Sequence, residues 1–473
     1  MSQRWFRENK IQIIVSSALF LCMAAGWISY FLFGRQLIKA IYEGNSITLL
    51  NRIIEAQARY PLGYYLNIGD ALFFRIQTGV AALIFITISS PFLKSIKLRF
   101  RIVLFFVFVF AVIYSISHIS SFCITPDSTH YLSCAEHLQR GEGFYTRGVN
   151  EETIDEFCLT GIYRESSKSR PYTAMPPLYP ILIFLVMRLL NTNSIGAALI
   201  VNRASFSLLI TLIYLMLVQI DPKKFNFSAL FIATLLTLFW PFYKVFNSAL
   251  SDITYTGFSV FAVFSLQRFY NSSPREETMI ILTCSLLTAL SLLSRYMGIA
   301  VFLTGVILIF LKNRFIMTRR KITNFLIFCV ISIFPLLPWL WRNKTLTGFL
   351  DGGNRSAPER GIMYNLFLTA YTIVTDFLFI NNKYIALAIS IILLIVVIYY
   401  RKTLLKMSGA FTRQYTAYVI YPFIYIASLN ITLSLVGNTE SISTRYLMPI
   451  YPFLISAVIH LFYRFINNSR IKL

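Results

Sequence analysis

The residue that raises a chemical question first is Asp127. It stands in the stretch CITPDSTHYLSCAEHLQRGEGFY (Cys123 to Tyr145), directly after a run of apolar residues. Thr125-Pro126-Asp127 is a helix-start signal, with a capping hydroxyl, a Pro in the first turn and an acid at the positive end of the helix dipole. The spacing predicts a helix from about 126 to 139, ended by Gly141-Glu142-Gly143, with Asp127, Tyr131 and Cys134 on one side. On one reading Asp127 only caps this helix. On the other, a lone carboxylate at the edge of a membrane takes a proton from a hydroxyl, help typically worth roughly 10²–10⁴-fold in rate.

Other charges gather near the ends of apolar runs: Asp252 after Ser251, then Arg295, Arg342 and Arg445, the last followed by Tyr446. An Arg guanidinium binds phosphate as a two-pronged fork and stays charged near lipid. A basic residue inside hydrocarbon costs about 2.5–3.5 kcal/mol, so each one beside a span asks for a reason. Snorkelling to the interface is the simpler reason; holding an anionic ligand is the functional one. Asp252 could position acceptor hydroxyls, bind a divalent cation, with or without Asp127, or pair with one of these Arg residues. Tyr131 could stack on a sugar or simply pack. His130 and His137 lack the paired spacing of a metal site.

These residues need elements to carry them. The chain has 473 residues, 56% hydrophobic and 13% charged, against about 25% charged in soluble proteins. Apolar runs near 11–33, 76–93, 102–119, 198–219, 228–244, 254–270, 278–294, 297–312, 323–341, 384–400, 415–436 and 446–464 suit an all-α membrane protein of about 12 spans. The first run is too long for a signal-peptide core and reads as a retained anchor. The net charge of +23 sits in short connections such as KSIKLRFR and KNRFIMTRRK. That pattern marks cytoplasmic loops, with both termini inside, and argues against a nucleic-acid partner.

Three long segments then fall outside the cytoplasm: 34–75, 120–197 and 342–383. Leu178 to Leu190 is only 13 residues and suits a re-entrant or interfacial helix. The run from Leu366 to Ile380, interrupted by Asp376, is similar. Cys123, Cys134 and Cys158 lie in the first large outer loop, where one pair could bridge.

An Asp, a Tyr four residues on, Gly141-x-Gly143-aromatic, then Pro176-Pro177-Leu178 resembles the first outer loop of GT-C glycosyltransferases. The bacterial branch related to protein mannosyltransferases and the lipid A aminoarabinose transferase is the nearest in pattern. Ser251-Asp252, Arg295-x-x-Gly298, Pro338-Trp339-x-x-Arg342-Asn343 and Arg445-Tyr446-x-x-Pro449 are similar to further segments of that family, in the same order. Met175 stands where relatives often carry Lys or His.

The resemblance implies two extra N-terminal spans and a loop over 1–101, and a catalytic module over 102–473. That module would include the catalytic loop 120–197 and a second outer loop 342–383. It implies an enzyme of the cell membrane, by the resemblance a bacterial inner membrane, with its active site on the outer side. This enzyme would move a sugar, with inversion, from a polyprenyl-phosphate donor to a glycolipid, surface polysaccharide or protein. Asp127 would be the base. Arg445, Arg342 and Arg295 would bind the donor phosphate, and Tyr131, Asp252 and Tyr446 would position substrate. No cofactor is required beyond a possible divalent cation. A flippase of lipid-linked sugars and a non-catalytic assembly subunit are the rival readings. The first would need polar or broken helices at mid-bilayer, whereas here the charges sit at span ends.

Overall fold

The computed structural model describes residues 80–84, 98–118, 125–147, 169–220, 226–235, 248–312, 318–353, 361–378, 415–435 and 442–470. The expected spans 11–33 and 384–400, most of 76–93, the loop 34–75, and Cys123 and Cys158 lie outside these residues. Two compact units are formed, one from Met1–Phe122 with Leu217–Phe239 and the other from Cys123–Met216 with Trp240–Leu473.

The elements in chain order are α1 (Leu98–His118), α2 (Pro126–Gln139), β1 (Tyr145–Arg147), β2 (Ser169–Pro171), α3 (Leu178–Leu190), α4 (Ser194–Ile220) and α5 (Asn226–Leu235). Then follow α6 (Asp252–Asn271), α7 (Glu277–Ser294), a 3₁₀ turn at Tyr296–Gly298, α8 (Ile299–Leu311) and α9 (Arg319–Ile333). After a second 3₁₀ turn at Phe334–Leu336 come α10 (Leu337–Thr347), α11 (Ile362–Leu378), α12 (Thr416–Leu435), α13 (Thr444–Leu447) and α14 (Tyr451–Arg470).

The architecture is helical, as the apolar runs require, and the protein is a multi-pass membrane protein. Among the described residues, four helices are long and apolar enough to cross a membrane: Ser194–Gln219, Glu277–Ser294, Arg319–Thr347 and Thr416–Leu435. The third joins α9 to α10 through Pro335 and Pro338, which tighten the rod without breaking it. Helix α6, with Asp252, Gln267 and Arg268, is not apolar enough to join that set. It is instead buried on most of its surface, and Ser259 meets Ser291 of α7 at 2.8 Å across a small-residue seam.

Helix α2 occupies the residues its start and stop signals predict. Thr125 and Ser128 form a reciprocal capping box, and Gly141 and Gly143 take the positive φ angles that turn the chain out of it. Helix α3 is the short apolar run unchanged, closed by Asn191 in the left-handed region. Among the described residues the strands that depart from an all-helical pattern are the antiparallel pair β1–β2, with Thr146 opposite Arg170. It closes the base of the first loop next to α2.

The break between α7 and α8 falls at Arg295. Its backbone is extended (φ −153°, ψ 142°), and the turn Tyr296–Gly298 folds back onto the end of α7. Gly298 permits this, because a Cβ there would lie 2.5 Å from the Leu292 backbone nitrogen. The start of α6, the end of α7 and the start of α8 therefore meet at one end of the bundle. The opposite end holds Glu277 and Lys312, paired at 3.0 Å, with Arg320 beside them.

Candidate active site

At the Asp252 end of the bundle a cavity of about 480 Å³ opens, in the size range of ligand sites. Asp127, Tyr131, Asp252, Arg295, Arg445 and Tyr446 all line it, together with Asp351, Met175, Pro176, Tyr296 and Tyr425. Ile299, Leu429 and Leu433 supply an apolar wall.

The capping question about Asp127 is answered by geometry. Thr125 and Ser128 satisfy the orphan amides of the first turn, the Thr125 Oγ1 accepting from Ser128 N at 3.3 Å and the Ser128 Oγ from Thr125 N at 3.1 Å. The Asp127 carboxylate is left to face the cavity, where its Oδ2 accepts from Arg445 Nη2 at 2.8 Å. The two side chains are 22% and 18% exposed, so the pair is accessible from the cavity.

Asp252 lies deeper, 3% exposed, and its Oδ1 accepts from Arg295 Nη1, with Arg445 Nε 3.9 Å away. Its Oδ2 is buried and has no hydrogen-bond partner among the described residues. A buried carboxylate oxygen left open is costly, and a substrate donor would satisfy it. The Tyr446 ring lies beneath both guanidiniums, 5.1 Å from Arg445 and 5.9 Å from Arg295. Two carboxylates and two guanidiniums thus interlock, each already partnered and each able to exchange its partner for a ligand.

Tyr131 is buried. Its hydroxyl meets Ser251 Oγ at 2.8 Å, and its ring stands edge-on to Tyr179 at 4.9 Å. Burial pushes its phenol up to about 12, against the pull of Arg295, so it stays a neutral hydrogen-bonding group. His130 lies outside the polar ring, with Nδ1 3.2 Å from Thr146 Oγ1 and Nε2 3.3 Å from Arg170 Nη2. His137 pairs with Glu142. Among the described residues no three His, Cys, Asp or Glu side chains converge to hold a metal ion. Cys134 is a buried free thiol.

Arg342 is the sequence candidate that the structure does not bring to the cavity. Its two terminal nitrogens donate to Tyr172 O at 2.9 Å and Phe144 O at 3.0 Å, and its plane lies over Trp339 at 4.8 Å. Asn343, one residue on, donates to Thr173 O at 3.0 Å and Tyr296 Oη at 3.3 Å. Trp339, Arg342 and Asn343 share one face of α10 by three-and-four spacing, and that face clamps the chain that leads into α3.

Asp351 was missed as an individual residue, although it lies in the expected outer segment 342–383. The loop that carries it is held by Thr173, whose Oγ1 donates to Gly352 O at 3.1 Å. Tyr296 and Tyr425 were missed because a Tyr in a span reads as packing until its neighbours are known.

No protein-family model and no curated protein matches the chain. Two solved structures of ArnT from Cupriavidus metallidurans do, one bound to undecaprenyl phosphate and one in the apo state. Each superposes with a TM-score of 0.50 at 17% identity, over 76% of this chain and 59% of the solved one. The chain thus spans about three fifths of the length of the ArnT it matches. The likeness is one of fold, and it is the GT-C fold that the order of the sequence motifs led us to expect.

Proposed function

We propose that this chain is an inverting glycosyltransferase. It moves a sugar from a polyprenyl-phosphate donor to a hydroxyl of a glycolipid, a surface polysaccharide or a protein, on the outer side of the membrane. The observation that carries this reading is the Asp127–Arg445 pair at 2.8 Å on the wall of a cavity that also holds Arg295. The fold shared with an ArnT solved with undecaprenyl phosphate supports the donor class.

The chemistry follows from the charges. The donor phosphate enters between Arg445 and Arg295 and takes over part of their hydrogen bonding. Asp127 is thereby released from Arg445 and accepts the proton of the acceptor hydroxyl. The acceptor oxygen bonds to the anomeric carbon while the bond from that carbon to the phosphate oxygen breaks. The electron pair leaves with the polyprenyl phosphate, whose charge the two guanidiniums neutralise. A single carboxylate suffices because phosphate leaves without a proton; a glycosidase needs a pair. The open Oδ2 of Asp252 accepts a hydrogen bond from a substrate hydroxyl, and the Tyr446 ring supports both guanidiniums. Arg342 supports the site by fixing the first loop rather than by touching phosphate. The apolar wall of Ile299, Leu429 and Leu433 offers the prenyl chain a surface.

The test is a comparison of lipid extracts and envelope glycans from cells with and without the protein. One polyprenyl-phosphate sugar should accumulate in its absence, and one glycan should lose that sugar. Identical profiles would overturn the reading.

A further inference from the structure

Helix α11 carries Asn365, Thr369, Thr372 and Asp376, spaced four, three and four residues apart. That spacing draws one polar line along one face. The first two members bond α12. Asn365 Nδ2 donates to Ser434 Oγ at 3.0 Å, and Thr369 meets the Asn430 amide at 3.2–3.3 Å. The last two reach the chain that follows α12. Thr372 Oγ1 donates to Ile442 O at 3.4 Å, Thr444 Oγ1 donates to Asp376 Oδ1 at 2.9 Å, and Tyr451 Oη donates to Asp376 Oδ2.

One carboxylate thus grips both ends of the segment from Thr444 to Tyr451, and Arg445 is the second residue of that segment. On its other side Tyr425 Oη of α12 donates to Tyr446 O at 2.6 Å. Between Thr444 and the start of α14 at Tyr451 the only helix is the four-residue α13, so the segment's own backbone bonds do little to orient it. An acid on a largely apolar helix also needs a partner to be tolerated there.

We propose that Asp376 is a positioning residue that sets Arg445 against Asp127. The carboxylate fixes Thr444 and Tyr451, and the guanidinium between them is thereby aimed into the cavity. The consequence for the reaction rests on the donor-phosphate reading of Arg445; the geometric role does not.

The test has two arms on the purified full chain. In the first, hydrogen exchange of residues 442–450 is compared for wild type, Asp376→Ala and Asp376→Asn. Loss of two hydrogen bonds to a carboxylate should speed exchange in that segment by about tenfold or more, with α2 unchanged, and Asn should restore most of the protection. Tyr451→Phe, which removes one bond, covers the case where the Ala variant does not fold. In the second arm, binding of undecaprenyl phosphate is measured for Asp376→Ala, Arg445→Ala and the double variant. Asp376→Ala should weaken binding about tenfold alone and add nothing once Arg445 is gone.

Unchanged exchange in 442–450, or equal losses from Asp376→Ala in both backgrounds, would overturn the positioning role. Faster exchange with binding that ignores Arg445→Ala would leave that role standing and sink the donor-phosphate reading instead.

Discussion

Asp127→Asn is the substitution that separates chemistry from architecture. Asn keeps the shape, and its amide oxygen still accepts from Arg445 Nη2, so the cavity and the cap of α2 persist. What is lost is the ability to hold a proton. General-base help of roughly 10²–10⁴-fold corresponds to about 3–5 kcal/mol of barrier. The structure argues against the lower end of that range. Asp252, the other carboxylate beside Arg445, is 3% exposed and tied to Arg295, so it is a poor substitute base. A loss of about 10³-fold in turnover is expected, with a melting temperature within about 2 °C of wild type. The assay uses protein in lipid nanodiscs, supplied with the lipid pool from cells that lack it and read by mass spectrometry of the polyprenyl-phosphate sugar. Retention of more than about a tenth of wild-type turnover by a correctly folded Asn variant would refute the assignment of Asp127 as base.

Arg342 and Arg445 should separate in the opposite sense. Arg342→Ala removes two charge-assisted bonds to Tyr172 O and Phe144 O and should cost about 2–4 kcal/mol of stability, whereas Arg445→Ala should weaken donor binding and change the melting temperature little. Thermal unfolding and undecaprenyl phosphate binding on both variants check this, with binding by Arg445→Ala weakened at least tenfold and still measurable, and a reversed pattern would return Arg342 to the donor site. Gly352→Ala sets a Cβ 2.2 Å from Thr173 O at a residue with φ +80°, a backbone cost of about 1–2 kcal/mol before the clash is relieved. Turnover should fall at least tenfold as Asp351 is displaced, and wild-type kinetics would show that this loop does not contribute. Burial, then the Arg170 guanidinium, hold His130 below its ordinary 6.5, against an upward pull from Asp127. The unfolded chain therefore takes the proton first, so the stability of the neutral ring is complete above about pH 6.5 and drains away as pH falls toward the folded value. The hydrogen-exchange protection factors of β1 and β2, taken against the intrinsic rate at each pH, should fall between about pH 7 and pH 5 in wild type and lose that dependence in His130→Gln.

Much of the local structure was legible in the residues. Thr125-Pro126 and Gly141 mark the two ends of α2 because capping and left-handed turns are decided within a few residues. The thirteen apolar residues of α3 and the interruption at Arg295 could be read for the same reason, as could the charges at span ends, since lipid makes every ionised group conspicuous. The strand pair β1–β2 could not be read, because three-residue strands carry no periodic signal and draw their bonds from a partner far along the chain.

The sequence by itself determined where the helices around the site begin and end and which charged residues stand there. Only the tertiary structure decided which of those charges meet. Arg445 reaches Asp127 across 318 residues, while Arg342, as prominent in sequence, turns to two backbone carbonyls 170 and 198 residues away. The physical reason is that capping and hydrophobicity act over one or two turns of chain. A guanidinium's partner is whichever acceptor the packed helices bring within about 3 Å, and that distance is a property of the whole fold.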